Sequence, residues 1–269
     1  MSYVLNCEIV SHDQPAPGHF RMGALAGPIA RDARPGQFAM LQTCVGFAPF
    51  LRRPMSFEQI RGEKATFLYR VEGEGTRALS TMRVGQSLSI QGPLGNGFPI
   101  DRTVRRHVIV AGGIGVAPFP GLAETLTRAC RKPPEVIIGA ATKRHLLCGD
   151  IFRDMACDVH LATDDGSVGV HGLASEVLET LTPGPDTRLY ACGPMPMMRA
   201  VARVAAAAGS ECYVSLEAQM ACGAGACLGC VVESRLENEG ERMVRVCVDG
   251  PVFDARVIDW ETHDFDYDR

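Results

Sequence analysis

Three cysteines and three glycines share the ten residues ACGAGACLGC, 221–230. Cys222 is followed by four residues and Cys227, then by two residues and Cys230, and Cys247 comes after a further sixteen. Thiols this close together serve as a disulfide framework, a zinc site or the ligands of an iron–sulfur cluster. Structural zinc takes paired C-x2-C knuckles, and only Cys227 and Cys230 have that spacing. C-x4-C-x2-C with a distant fourth cysteine is the plant-type [2Fe–2S] arrangement. Such a cluster is negatively charged, so it needs backbone N–H groups turned inward and a loop free of Cβ collisions. Gly223, Gly225 and Gly229, with Ala224 and Ala226, supply both. The spacing therefore predicts one [2Fe–2S] cluster on Cys222, Cys227, Cys230 and Cys247. Zinc, or a glycine-rich turn with inert thiols, stands as the alternative.

A cluster carries single electrons and needs a neighbouring carrier. RRPMS, 52–56, runs from a loop into a strand. Arg53 offers a planar fork to a pyrophosphate, Pro54 stiffens the approach, and Ser56 is placed to hydrogen-bond a flavin edge. YRVEGEGT, 69–76, passes through Gly73 and Gly75 into Thr76 at the start of a helix, where free N–H groups suit a phosphate. An ordinary N-cap is the competing reading.

VIVAGGIGVAPF, 108–119, sets Gly112, Gly113 and Gly115 between a buried strand and a helix. The spacing is G-G-x-G rather than G-x-G-x-x-G, yet the carboxyl edge of a parallel sheet is where a dinucleotide sits. CGPMPMM, 192–198, ends a later strand at that edge, so Cys192, backed by Gly193 and Pro194, is placed to meet a nicotinamide ring; a plain buried cysteine is the alternative. TDDGSVG, 163–169, closes a third strand at the ribose side. TKRH, 142–145, puts Lys143 and Arg144 near the adenosine ribose, where a 2′-phosphate would want them.

Positioning these motifs takes three regions. Residues 1–100 hold six β-forming segments (VLNCEIV, HFRMGAL, QFAMLQT, MSFEQI, ATFLYRV and QSLSIQG), with a hairpin signal at IRGEK and one helix over 76–82. Six strands in that length predict a small closed barrel. Residues 101–209 alternate strand and helix, which predicts a doubly wound parallel sheet. Helices are expected over 117–131, 146–156, 171–181 and 195–208, the last stopped by Gly209. Residues 210–269 carry the cysteine loop and an acidic tail. The fold class is multidomain, β plus α/β.

The chain has 269 residues, is 46% hydrophobic and 22% charged, and has a formal net charge of −4, which argues against general nucleic-acid binding. No apolar run reaches the roughly 20 residues of a membrane span. The start, MSYVLNCEIV, lacks the basic and apolar regions of a secretory signal. A cytoplasmic, reducing setting follows, in which disulfides are disfavoured. Cys7, Cys44, Cys130, Cys148, Cys157 and Cys212, scattered singly, read as small core residues.

Together these motifs resemble the ferredoxin–NADP reductase superfamily, a flavin-binding barrel followed by a nicotinamide-binding domain. SLEAQMACGAGACLGCVVE and VCVDGPVFDA are similar to the electron-transfer subunits of NAD-dependent dihydroorotate dehydrogenases, and the resemblance runs from about residue 4 to 260. It implies FAD, one [2Fe–2S] cluster, NAD, and a catalytic partner subunit that carries FMN and oxidises dihydroorotate in pyrimidine synthesis, two of each forming a heterotetramer. It assigns FAD contacts to Arg53, Pro54, Met55, Ser56, Arg70, Val71, Glu72, Gly75 and Thr76, and favours NAD over NADP. An apolar patch of Met220, Ala224 and Leu228 is expected to meet the partner. A subunit of an NADPH-linked ferredoxin or sulfur oxidoreductase is the alternative. The acidic tail beyond Trp260 has no counterpart in the resemblance.

Overall fold

The structure, a computed structural model, describes residues 1–43, 48–238 and 241–261; Cys44 and residues 262–269 of the acidic tail lie outside the described residues. Strands β1 (Tyr3–Ala16), β2 (His19–Leu25), β3 (Phe38–Leu41), β4 (Arg53–Arg61), β5 (Lys64–Arg70) and β6 (Ser87–Leu94) close into an antiparallel barrel in the order β1-β2-β5-β4-β3-β6. Alternation directs one side of each strand inward: Ala65, Phe67 and Tyr69 of β5 fill the barrel, while Leu68 between them faces the next domain. The IRGEK turn is a tight hairpin, with Arg61 opposite Lys64 and Gly62 at φ +61°.

Two helices accompany the barrel where the sequence predicts one. α1 (Gly27–Asp32) has no side-chain cap and only six residues, too few to show a period. Its buried Ile29 and Ala30 join the barrel core. α2 (Glu74–Ser80) begins earlier than its apolar pattern indicates, because Thr76 Oγ1 accepts the N–H groups of Glu72 (2.9 Å) and Gly73 (3.2 Å) and so fixes the first turn.

The second layer system is a seven-stranded sheet. In chain order its strands are β7 (Arg106–Gly112), β8 (Glu135–Ala140), β9 (Asp158–Thr163), β10 (Val170–His171), β11 (Thr187–Cys192), β12 (Glu211–Ser215) and β15 (Val252–Asp254). They lie in the order β10-β9-β8-β7-β11-β12-β15, parallel except for β15. α3 (Phe119–Cys130) and α4 (Gly149–Asp154) pack on one face through Leu122, Leu126 and Phe152. α5 (Ala174–Thr180) and α6 (Met195–Ala208) pack on the other through Val177, Leu178, Met198 and Val201. Gly209 at φ +67° ends α6. α4 is shorter than the expected 146–156 because Cys148 takes φ +62° directly before it. The sheet draws β12 and β15 from beyond residue 209. The rest of that stretch forms a hairpin, β13 (Val231–Asn238) and β14 (Glu241–Arg245), with the cysteine loop before it.

Barrel and sheet meet at a buried ion pair. Glu58 on β4, fully buried, accepts from Arg21 of β2 through Nε (2.9 Å) and Nη2 (2.9 Å), and the Cys148 thiol donates to the same carboxylate at 3.4 Å. No helix among the described residues is long and apolar enough to cross a membrane.

Candidate functional site

A cleft of about 280 Å³ opens where the barrel, the sheet and the C-terminal stretch meet. The barrel side is built from Arg53, Pro54, Met55 and Ser56, which enter β4, and from Arg70, Glu72 and Thr76 beyond β5. Arg53 lies directly over Gly75, whose Cβ, had it one, would run into the guanidinium. The motifs at 52–56 and 69–76, apart in sequence, are thus one surface. Arg70 is paired with Glu72, donating from Nε at 2.6 Å. Val71 turns the other way: its side chain packs against the barrel core and its N–H bonds Gly18 O at 2.8 Å.

Across the cleft stand Ile114, Ala117, Pro118 and Cys192. β7 and β11 are neighbours in the sheet, and the strand order reverses between them, so the loops at their carboxyl ends form the switch-point crevice. Gly112, Gly113 and Gly115 follow β7; Gly193 and Pro194 follow β11. The two turns are pressed together. A Cβ on Gly193 (φ +152°) would lie 2.9 Å from Gly112 Cα, and one on Gly112 2.8 Å from Pro194 Cδ. Gly115 backs onto the Cys192 carbonyl in the same way. Gly113, at φ +55°, has open space where its Cβ would be. Cys192 is 3% exposed, and burial pushes its thiol far up, so it presents a neutral S–H to the cleft. Further along the edge the backbone N–H of Lys143 donates to Ser167 Oγ at 2.8 Å, which joins the TKRH and TDDGSVG loops.

The third wall comes from Ser215, Leu216, Glu217, Ala218, Met220 and Pro251. Glu217 was not legible as a site residue, because nothing in SLEAQM brings it near Arg70 and Glu72 until β12 joins the sheet beside β11. An acidic residue at the carboxyl end of a sheet strand is the signal that would find it. Its carboxylate is open to the cleft yet closely surrounded by protein; burial, then repulsion from Glu72, raises its pKa against the pull of Arg70.

Beyond Met220 the cysteine loop turns back over the barrel. Cys222 Sγ accepts an N–H from Ala224 at 3.4 Å and further ones from Cys227 and Ala226, which brings its thiol down to about 6. All four thiols are free; Cys227 acts on the Cys222 thiol, and both Cys230 and Cys222 act on that of Cys247, the Cys230 thiol as a hydrogen-bond neighbour. The sixteen-residue gap before Cys247 is explained by the β13–β14 hairpin. Val231 stands opposite Arg245, and Val246 N–H bonds Cys230 O at 2.9 Å, so the chain returns to where it left. Cys247 lies 1% exposed, accepts an N–H from Gly225, and is pushed by burial up to about 12. Gly223, Gly225 and Leu228 hold positive φ within the loop.

Among the described residues no three His, Cys, Asp or Glu side chains gather as for a single metal ion. Four neighbouring thiols under inward N–H groups suit two irons with two thiolates each, so the donor set fits a [2Fe–2S] cluster. The loop leaves Cys227, Ala224 and Leu228 exposed, whereas Met220 turns into the cleft. Of the scattered thiols, Cys7, Cys148, Cys157 and Cys212 are buried, and Cys130 is half-buried against His107 at 3.4 Å.

The iron–sulfur cluster binding domain of dihydroorotate dehydrogenase B matches residues 217–259, and the oxidoreductase NAD-binding domain matches residues 109–203. The dihydroorotate dehydrogenase B (NAD(+)) electron transfer subunit of Caldanaerobacter subterraneus subsp. tengcongensis is 42% identical over 224 residues, 83% of this chain and 86% of the relative. That of Desulforamulus reducens is 36% identical over 265 residues, 97% of this chain and all of the relative. Among solved structures, one of an NADH-dependent reduced ferredoxin-NADP oxidoreductase superposes with a TM-score of 0.82 at 27% identity, covering 96% of this chain and 91% of that one. A ferredoxin NADP+ reductase from Neisseria gonorrhoeae, solved with FAD and NADP, shares the fold at a TM-score of 0.64 and 17% identity, covering 77% and 92% of the two chains.

Proposed function

The chain belongs to the family of electron transfer subunits of NAD-dependent dihydroorotate dehydrogenase B, and from that premise we propose that its cleft and its cysteine loop are two stations of one relay. Electrons from a dihydroorotate-oxidising partner subunit pass through a [2Fe–2S] cluster and FAD to NAD⁺, in pyrimidine synthesis. The observation that carries the residue assignment is the chain's course: Met220 lines the cleft and, two residues on, Cys222 belongs to the group of four thiols.

When bound, the cluster supplies one-electron and the flavin two-electron chemistry. The chain's residues arrange it. Arg53, over Gly75, gives its fork to the pyrophosphate, while Pro54, Met55, Ser56, Arg70, Glu72 and Thr76 form the flavin wall and Val71 offers backbone only. Gly112, Gly113, Gly115, Gly193 and Pro194 shape the nicotinamide crevice. Cys192 would meet the nicotinamide ring with an uncharged thiol and help keep water out. Cys222, Cys227, Cys230 and Cys247 hold the cluster. The partner is read as an FMN-carrying catalytic subunit in a two-plus-two assembly, and the setting as cytoplasmic. Residues 1–100, 101–209 and 210–269 are read as the flavin, nucleotide and cluster regions.

Iron and acid-labile sulfide should each approach two per chain, with FAD near one. Cys222→Ser or Cys247→Ser should lower iron and sulfide, and Cys130→Ser should change neither. Stoichiometric zinc without sulfide would refute the assignment.

A further inference from the structure

Two short stretches of chain link the cysteine site to the cleft. One is Met220 to Cys222; the other runs from Cys247 to Pro251, which lines the cleft wall. The same end of the barrel grips both. Gly223, at φ +65°, sits so close to β3 and β6 that a Cβ would lie 2.7 Å from Met40 Cγ and 3.2 Å from Leu94 Cδ1. Met40 and Leu94 in turn share an apolar cluster with Phe38, Cys230 and Cys247. Directly after β6, Gly95 at φ +69° presses on the second stretch, where a Cβ would lie 2.7 Å from Gly250 O.

Asn96 follows, and its hydrogen bonds all go one way. Its Nδ2 donates to Val248 O at 3.1 Å and to Asp249 O at 3.0 Å, and its backbone N–H donates to Gly250 O at 2.6 Å. Within the turn, Arg245 bonds Asp249 through its backbone N–H at 2.7 Å and Nε at 3.1 Å, a tie internal to the cysteine loop. An exposed carboxamide thus joins the barrel to the turn between a cluster cysteine and the cleft wall.

We propose that Asn96 is a positioning residue for electron transfer. With the seat of Gly223 on Met40 and Leu94, it holds the cysteine loop to the barrel, so that the gap between cluster and flavin is set by a rigid strand end. Nothing is added to the chemistry: NADH gives two electrons and one hydrogen to the flavin, and the flavin gives one electron to the oxidised cluster, with no further reactant. Side chains that act from outside a site commonly do so by fixing geometry in this way. The inference rests on the cluster-and-flavin reading above.

The test uses the cofactor-loaded chain with Asn96→Ala and Asn96→Asp; the latter sets a carboxylate against two carbonyl oxygens. In the half-reduced protein, EPR reads the magnetic coupling between flavin radical and reduced cluster, which weakens steeply with separation. Stopped-flow absorbance separates flavin reduction by NADH from cluster reduction. Both variants should keep iron, sulfide and FAD, and should keep the wild-type rate of flavin reduction. Coupling should fall severalfold or spread over a range of values, with cluster reduction slowed severalfold. Wild-type coupling in both variants overturns the proposal. Loss of the cluster from both overturns it as well, since Asn96 would then build the site rather than space it. Wild-type protein without sulfide would instead fail the underlying reading, and would be recognised before any variant is made.

Discussion

Glu217 faces a cleft in which protein atoms displace its hydration, and its charge is disfavoured there. The folded state therefore holds that proton to higher pH than the unfolded chain, whose carboxyl titrates near 4.5. The stabilisation is complete below the unfolded value and is lost as pH rises through the raised folded value. Glu217→Gln removes the dependence, so its Tm relative to wild type should climb as pH rises from about 4.5 through the raised folded value. A difference that stays flat would mean the carboxylate titrates as if free in water. Arg53 makes the complementary case. Its residue type and neighbours marked it in the sequence, but its position over Gly75 needed the fold. Arg53→Ala should weaken FAD binding by about 1.5–3 kcal/mol, read as faster FAD loss on desalting than wild type.

At the scale of elements, legibility followed length and periodicity. The six barrel strands and the helices α3 and α6 have enough residues to show period two or 3.6. α1, β10 and β15, with six, two and three residues, carry no period and exist because tertiary neighbours complete them. The cysteine spacing was legible as a cluster signal; the hairpin that brings Cys247 back to Cys230 was not, since pairing across strands is set by partners rather than by local sequence. The seam between barrel and sheet was equally hidden, for Arg21, Glu58 and Cys148 stand far apart in the chain. Arg21→Met would leave the fully buried Glu58 without its counter-charge, and should cost about 3–5 kcal/mol in denaturant unfolding. A loss within that of an ordinary surface pair, about 1 kcal/mol or less, would show that Glu58 finds other solvation.

For the molecule as a whole, the cleft joins nucleotide edge, barrel and cysteine loop, and no second cofactor cleft is needed for the relay. The chain alone should therefore turn over NADH with an artificial acceptor but yield no orotate from dihydroorotate and NAD⁺ until a catalytic partner is added; orotate from the chain alone would end that division of labour. With Asp164 and Asp165 exposed at the β9 edge beside Lys143 and Arg144, kcat/KM should favour NADH over NADPH. A strong NADPH preference would favour the ferredoxin-linked alternative instead.

The strand order also sets a sequence of events during synthesis. The barrel takes all six strands from residues before 95, so it can close while the rest of the chain is still being made. The cleft cannot, because its last wall waits for Pro251 and the returning Cys247. Newly emerging chains should accordingly pass through a stage with a folded, protease-resistant barrel that retains neither flavin nor iron, and cofactor loading should be a late event on the ribosome or after release.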